Sequence, residues 1–237
     1  MPAAPTSRAS RLAVEVALAG VAVGVVILGV LHMVEPTAAI SPLRRTISEY
    51  QLTDLGWAFN AGVLAIATGS TALLVVLIRD RLTGPAGALL MSGWIAGLLV
   101  LTAFPKHNWA IGPSATGQVH RMASLVAFLC LPLAVMLIAG RRGGGLPRGV
   151  AGAAIALAGL ALLWFVPIIV AMAGHRSGGL PWWQAIPLGL VERGLALTQI
   201  IALSLLAVAV LQRRDPVLER PARADASTHA DVDAVRP

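Results

Sequence analysis

Glu192 and Arg193 sit side by side in a stretch otherwise made of Leu, Val, Ala and Gly, a few residues after the turn implied by PWWQAIP. A charge at the centre of a membrane helix costs about 2.5–3.5 kcal/mol and is kept where it pairs, faces a cavity or meets a ligand. Glu192 and Gln199 are seven residues apart and share a helix face, so that segment carries a polar stripe. His120 opens another apolar stretch beside Arg121, with Ser124 one turn on. Ser48 and Glu49 lie in the polar block ISEYQLTD, and Asn60 stands one turn beyond Trp57. Two kinds of chemistry fit these residue types. In one, Arg193 holds a phosphate, Glu192 orients it and His120 donates a hydrogen bond, with Ser48, Glu49 and Asn60 completing a ligand set. In the other, His120 and Glu192 form an acid–base pair. Ser48 is a conceivable nucleophile but has no base beside it in sequence. The plainer reading makes Glu192 and Arg193 structural ion pairs.

The sequence offers no pair of histidines at i, i+4 spacing and no HExxH, so a zinc site would have to be assembled from separate loops. GxSxG, a P-loop and GxGxxG are also missing, and the GGG at 143–145 follows no strand. No metal and no cofactor is expected. His107 and His175 read as solvated loop residues, and Trp57, Trp109, Trp182 and Trp183 as members of an interfacial belt.

The elements that must position these groups follow from composition. With 57% hydrophobic and 12% charged residues and a mean hydropathy of +0.80, the chain has too little polar surface to cover a soluble domain. Six apolar stretches, 12–34, 56–78, 85–104, 120–140, 149–173 and 187–211, each approach the ~20 residues that cross a bilayer as a helix. The fold class is therefore all-α, an integral membrane bundle of six helices. The first stretch is too long for a signal h-region and reads as a retained span. With the N-terminus cytoplasmic, 12 of the 18 Lys and Arg fall inside, including the short turns 79–84 and 141–148, which places both termini in the cytoplasm. Residues 1–11 form a short N-terminal segment, 12–211 the membrane domain, and 212–237 a tail with little to bury.

The net charge of +7 falls at span ends rather than on a patch with interleaved aromatics, so it speaks for anionic lipid and against nucleic acid. Cys130, the only cysteine, lies in the fourth span and reads as a small core hydrophobe. Gly20–Gly24 and Gly93–Gly97 have GxxxG spacing, which serves packing within the chain or a homo-oligomer alike. Pro132 and Pro167 fall inside spans and should kink them, freeing carbonyls for neighbours to satisfy.

Three blocks, SPLRRTISEYQLTDLGWAFNAG, FPKHNWAIGPSATGQVHRMAS and GLVERG, give the chain its kinship. Over about 12–211 it resembles the bacterial membrane family of domain of unknown function 998, and more distantly the six-span Frag, DRAM and Sfk type. The resemblance implies a bacterial plasma-membrane protein with lipid-associated work, and carries Ser48, Glu49, Asn60, His120, Glu192 and Arg193 over as a set. Soon after Phe104-Pro105, where the family pattern leads one to expect an acid, this chain has Lys106 and His107. The leading expectation is a protein that binds a membrane lipid in a polar pocket near the outer face. An intramembrane lipid- or isoprenoid-modifying enzyme comes second and a small-solute transporter third, since the halves 12–104 and 120–211 show no repeat.

Overall fold

A computed structural model describes residues 8–108, 111–141 and 146–213. The interfacial role read for Trp109, the turn around GGG at 143–145, and the tail from 214 onward lie outside those residues.

Among the described residues the regular structure is all helical, with no strand, as an apolar chain in lipid requires: every backbone N–H in a span must find a partner within its own segment. The long helices are α1 (Arg8–Leu31), α2 (Gly56–Arg79), α3 (Pro85–Ala103) and α4 (Ala115–Ala139), then α5 (Arg148–Leu163) with its continuation α6 (Phe165–Arg176). A four-residue turn of helix, α7 (Trp182–Ala185), precedes the last long helix, α8 (Leu188–Leu211). Taking α5 and α6 as one span, six are long and apolar enough to cross a membrane. At about 1.5 Å per residue, the 24 residues of α1 exceed the ~30 Å hydrocarbon core.

Two boundaries differ from the sequence reading for physical reasons. Helix α4 begins at Ala115, not near 120, because the Ser114 hydroxyl accepts a hydrogen bond from the Gly117 N–H at 3.1 Å and caps a polar first turn that hydropathy does not register. His120 is thus more than a turn inside the helix. The fifth span is broken at Trp164, three residues before Pro167. Proline lacks the N–H that would bond to the Leu163 carbonyl and its ring crowds that carbonyl, so the helix interrupts there. Pro132 has a different outcome. Helix α4 continues through it, and the Phe128 carbonyl that it leaves unbonded accepts the side-chain amide of Gln199, from α8, at 2.6 Å.

Helix α1 packs along α2, α3 along α4, and α5 along α8. The small residues explain the closeness. A Cβ on Gly24 would lie 2.5 Å from the Gly62 carbonyl oxygen, and one on Gly97 would lie 2.7 Å from that of Ala123, so both GxxxG faces are occupied within the chain. Contacts from α2 to α3 and from α4 to α8 complete most of a ring, with α5 on its outside. The ring closes least tightly between α1 and α8.

Candidate functional site

The first long connection, 32–55, and the start of α8 are sewn together through GLVERG. A Cβ on Gly189 would lie 2.5 Å from the Pro42 carbonyl oxygen and nearer still to that of Arg45, so only glycine lets the loop rest on the helix. The loop in turn satisfies donors that a helix start leaves open: Leu190 N–H donates to the Leu43 carbonyl at 3.2 Å. Arg193 reaches back into the same loop. Its Nη1 donates to the carbonyls of Pro42 (2.8 Å), Arg45 (2.7 Å) and Gly189 (3.1 Å), its Nη2 to the Tyr50 hydroxyl (3.0 Å), and its Nε to His32 Nε2 (2.9 Å). His32 can accept there because its Nδ1 donates to the Leu28 carbonyl at 2.7 Å, which fixes the neutral tautomer. Beside Arg193, Glu192 accepts the Ile47 N–H on Oε2 at 2.5 Å.

His120, 4% exposed, is anchored to the end of α3. Its Nδ1 donates to the Phe104 carbonyl at 2.8 Å and lies 3.1 Å from that of Leu101, two acceptors left open by the helix terminus. This arrangement leaves Nε2 as a hydrogen-bond acceptor, and no donor among the described residues engages it. Gln51 reaches the same terminus: its amide donates to Asn60 Oδ1 (3.0 Å) and to the Leu101 and Thr102 carbonyls (3.1 and 3.2 Å). Glu49 is held by Arg45 at 3.0 Å and by Lys106 at 3.2 Å, and Lys106 also donates to Thr46 Oγ1 at 2.5 Å. Lys106, standing where an acid was expected, is thus the partner of one.

A cavity of about 730 Å³ opens inside the ring, between α1, α2, α3, α4 and α8. That is within the ~300–1,000 Å³ typical of small-molecule sites. Its wall is almost wholly apolar, from Leu18, Val21 and Phe59 to Trp94, Leu98 and Ile200. Most of the polar lining gathers at the loop end, where His32, Ser48, His120, Ser124, Glu192 and Arg193 meet; Ser204 lies farther along α8. The indole of Trp94 is turned to Ser70 Oγ at 2.9 Å and presents only its ring to the cavity. From Leu18 to Gly29 the cavity follows α1 for about 16 Å at ~1.5 Å per residue, roughly half the ~30 Å hydrocarbon core. Five lining residues are exposed: Ala22, Val25 and Gly29 of α1, Leu197 and Ile201 of α8. The cavity is therefore a slot with a lateral opening where the ring closes least.

The family model described as Protein of unknown function (DUF998) matches residues 18–209. The chain belongs to this family. No curated protein and no solved structure matches it. All three sequence blocks that carry the kinship meet around the loop end of the slot. In this DUF998 protein, four of the six singled-out residues, Ser48, His120, Glu192 and Arg193, line the slot; Glu49 and Asn60 do not. Glu49 instead borders a smaller cavity of about 450 Å³ on the loop face, with Arg45 and Asn108. His107 departs from the sequence reading: it is buried, not solvated, because its Nδ1 accepts the Ser114 N–H at 2.9 Å and its ring lies under Gly117. His175 is exposed as expected, against Trp183. Sequence reasoning missed Thr46 and Gln51, whose one signal is their place in the polar block TISEYQLTD. Among the described residues, no three of His, Cys, Asp and Glu gather as metal ligands.

Proposed function

We propose that this DUF998 protein binds a membrane amphiphile, admitting its hydrocarbon chain sideways between α1 and α8 and holding its polar end beneath the first loop. The observation that carries this reading is the slot itself, apolar for about 16 Å of helix rise, with its polar side chains gathered at the loop end apart from Ser204, whose hydroxyl donates to the Ile200 carbonyl at 2.8 Å. A ligand that is apolar along its length and polar at one tip complements that wall; a small polar solute would leave most of it without a partner. The distribution of Lys and Arg supports an orientation with both termini cytoplasmic and the slot's polar end outward, and residence in a bacterial plasma membrane is what the family resemblance implies.

Gly29 supplies the test. It borders the lateral opening, and a Cβ built there meets nothing within 4 Å, so Gly29→Trp places an indole at the opening without moving backbone. Native mass spectrometry of protein released from nanodiscs should find a lipid retained by the wild type and lost from Gly29→Trp. Equal retention by both overturns the reading.

A second reading, chemical modification of the bound amphiphile, draws on one observation: His120 is oriented through Nδ1 while Nε2 is available as a base, and Glu192 shares the cavity. It requires that His120→Gln lose turnover of the retained species while still binding it.

A further inference from the structure

The polar end of the slot is rich in acceptors and poor in donors. Glu192 uses Oε2 for the Ile47 N–H, and no donor among the described residues reaches Oε1. His120 Nε2 is a second open acceptor. Ser124 donates its hydroxyl to the His120 carbonyl at 2.9 Å and Ser48 donates its own to Thr46 Oγ1 at 3.1 Å, so both have their hydrogens committed elsewhere and can only accept. Arg193, the cation on the slot's wall, has Nε and both Nη1 hydrogens committed to the loop and one Nη2 hydrogen committed to Tyr50. A single Nη2 hydrogen is left. The two-pronged fork by which guanidinium grips a phosphate or carboxylate is therefore not on offer.

Charge disfavours the opposite case. Of the acidic and basic groups only Glu192 and Arg193 line the slot, and Glu192 also feels Lys106 behind it, so its charge is already compensated. An ammonium head would bring a further cation to a carboxylate that Arg193 and Lys106 already compensate. What fits is a group that donates once or twice, accepts once and carries no charge. Resting on the amphiphile reading above, we propose that the ligand's head is a neutral hydroxyl, as in a long-chain alcohol or an acylglycerol: its O–H donates to Glu192 Oε1 or His120 Nε2, and its oxygen accepts the last Nη2 hydrogen of Arg193.

Three probes with one tail separate the head from the chain: 1-dodecanol, dodecyl phosphate and dodecylamine, each added to the full-length protein in nanodiscs and compared by native mass spectrometry. The wild type should retain the alcohol about tenfold better than either charged analogue, the difference expected of about one well-placed hydrogen bond. Glu192→Gln can still accept from Ile47 while turning an N–H₂ toward the slot, so its preference should shift toward the phosphate. Where that variant fails to fold, the comparison of heads on the unaltered chain decides alone. A wild type that prefers dodecyl phosphate or dodecylamine, or that takes all three equally, overturns the hydroxyl assignment; exclusion of those probes by Gly29→Trp would leave the slot reading standing. Retention of the probes by Gly29→Trp sinks the slot reading itself, whatever the head preference.

Discussion

Arg193 is placed so that a positive charge in an apolar helix serves first as a clamp. Its guanidinium gathers two carbonyls of the 42–45 loop, one of its own helix, a phenol and an imidazole. A lysine would bring the same charge with three donors on a point, not five in a fork. Arg193→Lys should therefore raise amide exchange in the 42–50 loop about tenfold or more, read by hydrogen–deuterium exchange, with the long helices little changed. Gly189→Ala should loosen the same loop by another route, since its new methyl group would overlap the carbonyls that Arg193 holds. The charged pair of this cluster was legible in the sequence because charge in an apolar run is costly wherever it occurs. Which role Arg193 plays was not, since the acceptors that claim it are backbone atoms of a distant loop and backbone has no signature in sequence. Gln51 was illegible for a simpler reason: a polar residue in a polar block is ordinary until its neighbours are known.

At the scale of helices, the exchange between Pro132 and Gln199 shows how a broken ladder on one element is mended by another. Gln199→Leu should leave the Phe128 carbonyl without its donor and cost about 1–3 kcal/mol. In a Pro132→Ala background the restored N–H can bond that carbonyl, and the cost of Gln199→Leu should shrink. A double-mutant cycle by thermal unfolding in detergent measures the coupling; additive effects would show the two positions to be independent. The α1–α2 contact is tested by Gly24→Leu, whose Cβ would meet the Gly62 carbonyl oxygen at 2.5 Å and which should destabilise by about 1–3 kcal/mol or more. Helix number and length were readable because lipid leaves the backbone few alternatives. The start of α4 was not, because its first turn is polar and is set by a serine cap, and the break at Trp164 lies upstream of the proline that causes it.

Viewed whole, the molecule is asymmetric along the membrane normal: long, tightly bonded connections on one face and short turns on the other. The distribution of Lys and Arg predicts which face is cytoplasmic. With Cys130 replaced by serine, a cysteine at Asp54 should react with a membrane-impermeant maleimide on intact cells and one at Gln212 should react only after lysis. The reverse pattern would invert the orientation. That Gly20, Gly24, Gly93 and Gly97 serve intramolecular packing means that an oligomer of this chain would have to form through other faces.

The lateral opening between α1 and α8 has a thermodynamic consequence. In a bilayer the slot is bathed by acyl chains as apolar as its own wall, so transfer of a tail into it gains nothing from the hydrophobic effect. On the amphiphile reading proposed above, occupancy would be an exchange of one chain for another, governed by mole fraction within the membrane and not by concentration in water. Selectivity would then fall almost entirely to the handful of polar atoms at the loop end, and a dissociation constant measured in micelles would report competition with the detergent.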